Sequence, residues 1–182
     1  MSGTKVALIT GCSRGIGLGL VKEYVSRGYQ VLATCRNPEN AVALTEFLSE
    51  SKQKPAIPLD VSCKSSIEAC VLSVGKENKK IDLLINNAGI SNKDHPDDLA
   101  STTDAQEFNH IMNTNVTSTL SMTQAFLPML RQSQEPMVIN ISSGLGKDLC
   151  QVLHINLNVI FVWFSIKLLV YDALGSNASE GT

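Results

Sequence analysis

The chain has 182 residues, 43% of them hydrophobic and 18% charged, which predicts a single globular domain with a sizeable core. A net charge of −2, with no block of lysine or arginine, argues against a partner that is a nucleic acid or an anionic membrane surface. The five cysteines are odd in number and lack C-x-x-C spacing, so they indicate neither a disulfide framework nor a zinc site but reduced thiols in a cytosolic protein. Residues 1–9 lead directly into the first predicted strand, so no signal or transit peptide is expected.

That first strand, at about residues 5–10, runs into the glycine-rich segment Thr10-Gly11-Cys12-Ser13-Arg14-Gly15-Ile16-Gly17, which opens a helical pattern. A strand, a glycine loop and a helix in this order present backbone N–H groups and the positive end of a helix to a phosphate. Gly11 permits a tight turn, Gly15 lets the backbone approach a pyrophosphate, and Gly17 lets the helix pack closely. The segment predicts a nucleotide site, and a tight turn without a ligand is the simpler alternative.

Strands and helices alternate along the chain that follows. The first helix is predicted to end at Arg27-Gly28, and further strands at about residues 30–35, 55–59, 81–86 and 136–141. Later helices are predicted to begin at the capping sequences Asn37-Pro38-Glu39, Ser65-Ser66-Ile67-Glu68 and Thr103-Asp104-Ala105-Gln106, the last opening one long helix. The alternation predicts an α/β fold, a doubly wound parallel sheet of the Rossmann type with strand order 3-2-1-4-5.

Residues 149–171 are far more apolar than any earlier segment. Apolar residues there alternate with Asn156 and Asn158, a period-two pattern that favours a strand over a helix. The segment has about the length of a membrane span but contains polar residues, so a transmembrane helix remains an alternative to a buried or mispaired strand-like segment. We therefore divide the chain into a nucleotide-binding domain, residues 1–148, and an apolar tail, residues 149–182.

Five motifs occur in the order in which one enzyme family has them. They are the glycine loop, Asp60-Val61 after the third strand, Asn87-Ala88-Gly89 after the fourth, Asn115 in Asn113-Thr114-Asn115-Val116, and Ser143 in Asn140-Ile141-Ser142-Ser143. With these motifs, residues 4–147 resemble the short-chain dehydrogenases/reductases, and most of all their sniffer-like carbonyl reductase branch. The resemblance implies a Rossmann fold and hydride transfer between a nicotinamide and a carbonyl or alcohol carbon of a small molecule.

The resemblance also implies roles for individual residues. The cofactor-binding residues that it implies are Gly11, Ser13, Arg14, Gly15, Ile16, Gly17, Asp60, Val61, Asn87, Ala88 and Gly89. Ser143 would hold the substrate oxygen and Asn115 would support a water-linked proton relay, so both count as catalytic. Simpler structural roles remain open: a serine that satisfies the backbone at a strand end, a helix asparagine that faces a neighbouring carbonyl, and Asn87 as a tie between strands.

The charge at the end of the second strand predicts which nicotinamide cofactor binds. A carboxylate there would bond the ribose hydroxyls of NAD and repel a 2′-phosphate. The sequence has Arg36 at this point and Arg14 in the glycine loop, two cations where the 2′-phosphate of NADP would lie. We therefore expect NADP(H) as the cofactor, the alternative being that both arginines are ordinary solvated side chains.

The family's Tyr-x-x-x-Lys motif, which should follow the catalytic serine, is absent from the sequence. None of Tyr24, Tyr29 and Tyr171 has a lysine four residues later, and Trp163, which has that spacing to Lys167, cannot act as a phenol does. Strands six and seven are missing too, so the sheet is expected to be incomplete at its C-terminal side. We expect a cytoplasmic oxidoreductase of weak or no activity or, as the alternative, a non-catalytic nucleotide-binding fragment or an unstable truncated product. Homo-oligomerisation stays open.

Overall fold

The computed structural model describes residues 3–91 and 104–141. Within them, one sheet is formed by β1 Val6–Ile9, β2 Gln30–Cys35, β3 Ile57–Pro58, β4 Leu83–Asn86 and β5 Met137–Asn140. The strand order is β3-β2-β1-β4-β5, and each neighbouring pair is parallel. This confirms the predicted doubly wound sheet and its strand order. The predicted tail, residues 149–182, lies outside the described residues, as does the predicted catalytic Ser143.

Helices cover both faces of this sheet. They are α1 Gly15–Ser26, α2 Val42–Glu50, α3 Lys64–Glu77, α4 Ala105–Met112 and α5 Ser118–Leu130. Successive residues of the buried central strand β1 point to opposite faces, so Val6 and Leu8 pack with α3 and α5, whereas Ala7 and Ile9 pack with α1 and α2. The core therefore consists of two apolar layers with the sheet between them. In the described part of the chain, no helix is long and apolar enough to cross a membrane.

The first helix ends as predicted, but the second begins later than predicted. Arg27 is the C-cap of α1, and Gly28 follows at φ +81°, in the left-handed region that favours glycine. Asn37 precedes only a short 3₁₀ turn, Pro38–Asn40, whose cap has no side-chain hydrogen bond. The α-helix itself starts at Val42, so the Asn-Pro signal marks a turn before the helix rather than its first residue.

The capping box predicted at Ser65 is wrong. Helix α3 begins at Lys64 with Cys63 at the N-cap, and this cap has no side-chain hydrogen bond. The hydroxyl of Ser66 instead accepts a hydrogen bond of 2.9 Å from the backbone N–H of Asp60. That serine thus holds the turn after β3, a tertiary use that a local capping pattern cannot reveal.

The long helix predicted after residue 103 is interrupted. It begins one residue later than predicted, because Asp104 is the N-cap and its carboxylate accepts a hydrogen bond of 3.2 Å from the N–H of Glu107. Between α4 and α5, Asn113–Thr117 forms a π-helical turn. Such turns occur frequently at functional sites, and this one contains Asn115.

Candidate functional site

A cleft of about 330 Å³ opens where β1, β2, β3 and β4 end. It contains every residue that the sequence predicted to bind the cofactor: Gly11, Ser13, Arg14, Gly15, Ile16, Gly17, Arg36, Asp60, Val61, Asn87, Ala88 and Gly89. In open parallel sheets, ligands bind at the carboxyl ends of the strands, beside the point where the strand order reverses. The fold thus brings the predicted residues together at the expected edge of the sheet, and their contact with a cofactor stays a prediction.

The glycine loop leaves the start of α1 available to an anion. Arg14, the N-cap, is extended and makes no side-chain capping bond, and the first turn contains no acidic residue. The first backbone N–H groups of a helix lack intrahelical partners and attract negative charge. Gly15 has φ +57°, and no atom lies within 4 Å of the position that a Cβ would occupy. The backbone at Gly15 therefore faces open space, as a phosphate cradle requires.

The loop packs without any gap against the segment that follows β4. A Cβ on Gly17 would overlap the carbonyl oxygen of Gly11 and would lie 2.7 Å from Nδ2 of Asn87. A Cβ on Gly11 would lie 2.8 Å from Cα of Ala88. The close approach predicted at Gly17 is therefore made to the loop itself and to the Asn87 side chain.

Thr10 and Asn87 join the ends of β1 and β4. The buried hydroxyl of Thr10 accepts hydrogen bonds of 3.0 Å from the backbone N–H groups of both Asn87 and Ala88. Nδ2 of Asn87 donates to the carbonyl oxygens of Thr10, at 2.9 Å, and Gly11, at 3.2 Å. Asn87 therefore has the structural role of a tie between strands, which was the simpler of its two predicted roles.

Charged groups gather at the other end of the cleft, where β2 and β3 end. The carboxylate of Asp60 accepts hydrogen bonds from the hydroxyl of Ser62, at 2.6 Å, and from the N–H of Ser62, at 2.9 Å. The hydroxyl bond is the main cause that lowers the pKa of Asp60, and electrostatic interactions with Arg36 and His110 lower it further. Asp60 is therefore an ionised acceptor, held in place by its own turn and facing the cleft.

Asn115 fixes the segment after β4 from the opposite side. Its Oδ1 accepts a hydrogen bond of 2.9 Å from the N–H of Ile90, and its Nδ2 donates one of 2.8 Å to the carbonyl oxygen of Ile90. A Cβ on Gly89 would lie 3.4 Å from Oδ1 of Asn115. Asn115 thus binds a neighbouring backbone unit, as its simpler predicted role required, and its part in a proton relay stays a prediction.

The cleft also contains residues that the sequence analysis missed. They are Cys35, Leu59, Ser62, Ile90, His110 and Thr114. Thr114 is 7% exposed, and its hydroxyl has no hydrogen-bond partner among the residues that the structure describes. His110 and Thr114 are four residues apart and share a helix face next to Asn115, so helical spacing from that motif could have identified both.

Comparison with known sequences gives a consistent set of relatives. Residues 5–155 match the family model described as short chain dehydrogenase. The chain is 36% identical over 142 residues to a 3-oxoacyl-acyl-carrier-protein reductase of Vibrio harveyi, covering 78% of this chain and 56% of that protein. It is 31% identical over 144 residues to the NADPH-dependent pterin aldehyde reductase of Arabidopsis thaliana, covering 79% and 58% of the two proteins.

A solved structure shows the same fold. The NADPH-bound carbonyl reductase from chicken fatty liver superposes with a TM-score of 0.73 at 32% sequence identity. The match covers 80% of this chain and 60% of the reductase. The chain therefore spans less than two thirds of the length of the relatives that it matches.

Proposed function

This chain belongs to the short-chain dehydrogenase family, and we propose that its cleft binds NADP(H) for hydride transfer to or from a small-molecule carbonyl or alcohol. The nicotinamide, when bound, supplies or accepts the hydride. The observation that carries the proposal is the meeting of Arg14 and Arg36 with the glycine loop in one cleft, with no carboxylate directly after β2.

The chain's own groups suit each part of such a cofactor. The uncapped start of α1 and the open space at Gly15 suit a pyrophosphate. The ionised carboxylate of Asp60 can accept a hydrogen bond from an amino group, and the guanidinium of Arg36 can bind a 2′-phosphate in bidentate fashion. The chicken reductase was solved with NADPH bound and the Arabidopsis relative is named for its dependence on NADPH, which supports the same choice.

The cofactor preference can be tested by fluorescence titration with NADPH and NADH. Wild type is expected to bind NADPH more tightly, and Arg36→Asp should reduce or reverse the preference by about 10- to 100-fold, because a charge-assisted contact worth about 1.5–3 kcal/mol becomes a repulsion. Lys52→Asp changes the net charge equally at an exposed position outside the cleft and should keep the wild-type preference. Wild type that bound NADH as well as NADPH would contradict the proposal.

We further propose that the 182-residue chain has little or no turnover. A carbonyl that receives a hydride needs a proton at the forming alkoxide, and a positioned general acid typically contributes about 10²- to 10⁴-fold. The sequence contains no Tyr-x-x-x-Lys to supply that acid. NADPH oxidation with a simple dicarbonyl should therefore fall far below that of a full-length family reductase assayed in parallel, and an equal rate would refute the expectation.

The second candidate function, a non-catalytic nucleotide-binding protein, is favoured by the same missing motif. The two experiments together separate the possibilities, because tight NADPH binding without turnover supports the binding role, whereas turnover supports the enzyme.

We also propose a cytoplasmic location, since the cysteines in the described residues, Cys12, Cys35, Cys63 and Cys70, are all free thiols. Cell fractionation with an antibody to the chain would test it.

A further inference from the structure

His110 is the imidazole side chain among the described residues that line the cleft. It lies in the last turn of α4, is exposed, and borders the same space as Arg36 and Asp60. Neither the glycine loop nor the strand ends supply it, because it comes from the helix on the far side of the cleft. Its position is therefore independent of the motifs on which the proposed function rests.

The face of α4 that contains His110 is fixed toward the turn after β3. Nδ2 of Asn113, three residues later, donates a hydrogen bond of 3.2 Å to the carbonyl oxygen of Ser62. Thr114, four residues after His110, also lines the cleft. Residues three and four apart share one side of a helix, so His110 faces the turn that contains Asp60.

The charges around His110 come from three other segments. Arg36 follows β2, Asp60 follows β3, Arg14 belongs to the glycine loop, and Glu107 lies one turn earlier on the helix of His110 itself. Two guanidinium groups and one carboxylate leave the described walls of the cleft with a single net positive charge, which a protonated His110 would double. Imidazole is the side chain that changes its charge between about pH 5 and pH 8.

We propose that His110 is a specificity residue that makes recognition of a 2′-phosphorylated adenosine depend on pH. Its imidazolium, formed as the pH falls, adds a cation to the end of the cleft where Arg36 and Asp60 lie and so strengthens binding of the phosphate relative to an adenosine without one. The proposal rests on the proposed function, since it assigns a regulator of the same nucleotide site.

The test measures binding of adenosine 2′,5′-bisphosphate and of 5′-AMP to the full chain by calorimetry, at about pH 6 and about pH 8. Wild type is compared with His110→Gln, which stays neutral, and with His110→Lys, which stays charged. Asn109→Gln is the control, because Asn109 is the exposed neighbour that does not line the cleft. Phosphate groups themselves titrate near pH 6, so each affinity is read as a ratio to that of His110→Gln.

For the bisphosphate, the ratio of the wild-type affinity to the His110→Gln affinity should rise about threefold to fivefold from the higher to the lower pH. This is the size expected for an exposed charge pair. The ratio for His110→Lys should be raised equally at both pH values, Asn109→Gln should follow wild type, and 5′-AMP should respond less. A wild-type ratio that stays constant with pH, or a control that loses the effect, overturns the proposal for His110 while NADP(H) binding stands. Failure of wild type to bind the bisphosphate at either pH overturns the proposed function as well.

Discussion

The two ends of the parallel sheet differ in how completely their buried polar groups are paired. At the amino end, the carboxylate of Asp82, which is 7% exposed, accepts hydrogen bonds from the N–H of Val6 at 2.8 Å, Nζ of Lys80 at 2.9 Å and the hydroxyl of Ser133 at 2.6 Å. At the carboxyl end, Oγ1 of Thr114 and Oδ1 of Asn86 are buried without a partner among the described residues. Buried polar groups left unpaired cost free energy, whereas paired ones stabilise the fold.

The difference separates stability from function within one domain. Asp82 joins β1, β4 and the segment before β5, so its bonds hold three chain segments at the end away from the cleft. Among the described residues, the carboxyl end is left with an uncapped helix start, ionised side chains and the unpaired hydroxyl of Thr114 in an open cleft. A polar group in the cleft that the described residues leave without a partner is a group that a ligand can satisfy.

The largest effect is expected at Gly17, where the neighbouring atoms leave no space for a side chain. Gly17→Ala would place a methyl group on the carbonyl oxygen of Gly11 and against Asn87, and the backbone cannot yield as a flexible side chain can. We expect a loss of about 3 kcal/mol in the free energy of unfolding, the upper end of the usual range for overpacking, together with loss of nucleotide binding. Urea unfolding followed by circular dichroism measures the first effect and NADPH titration the second.

Gly19→Ala is the matched control, because it lies in the same helix and a Cβ there would meet no atom within 4 Å. Alanine favours a helix over glycine by about 1 kcal/mol, so this variant should be slightly more stable than wild type. Equal destabilisation by both substitutions would mean that the helix, rather than the close approach at Gly17, limits stability.

The amino end is tested by Asp82→Asn. Burial alone would raise the pKa of Asp82, but the hydrogen bonds from Ser133 and Lys80 outweigh it and lower the pKa. Since hydrogen bonds to a charged group contribute about 1.5–3 kcal/mol, we expect the variant to lose about 2 kcal/mol in the free energy of unfolding at neutral pH, measured by urea unfolding. Asp104→Asn, an exposed N-cap at which both residues cap equally well, should change little.

The Asp82→Asn variant also tests how the free energy of unfolding depends on pH. A carboxyl whose pKa is lower in the folded state than in the unfolded state stabilises the fold above its unfolded value, about 3.9, and loses this contribution as the pH falls through the folded value. The difference in unfolding free energy between wild type and Asp82→Asn should therefore be greatest near neutrality and shrink in acid. A difference that stayed constant from neutral to acid pH would show that the charge of Asp82 plays no part.

Predictions from the sequence succeeded where the controlling pattern is local or periodic. The parallel sheet follows from alternating strand and helix patterns, and the predicted cofactor residues share a cleft because strand ends of a parallel sheet meet at one edge. Gly28 could be recognised as a helix end because few other residues adopt its backbone conformation.

The features that were missed depend on contacts between segments distant in sequence. The local sequence does not show that the Ser66 hydroxyl accepts a hydrogen bond from the N–H of Asp60, so the predicted start of α3 was wrong. The π turn at Asn113–Thr117 contains the amide of Asn115, which bonds Ile90, a residue from another segment of the chain. His110 has no motif of its own, and only the docking of α4 brings it to the cleft. Tertiary contacts that override local signals are the common reason.

The smallest effect on stability is expected at Thr114. Its comparison with Thr10, the other buried threonine of the cleft end, tests most directly the contrast between satisfied and unsatisfied groups. Thr10→Val removes a hydroxyl that accepts from the N–H groups of Asn87 and Ala88, so two donors lose their partner and about 1–3 kcal/mol of unfolding free energy should be lost. Thr114→Val removes a hydroxyl without a partner in the described part of the chain, so stability should stay equal or rise by up to about 1 kcal/mol.

NADPH affinity should then fall for Thr114→Val despite its intact fold, because that hydroxyl is available to a ligand. If Thr114→Val were instead as unstable as Thr10→Val, its hydroxyl would be part of the fold's own network, and the contrast between the two ends of the sheet would fail at this residue.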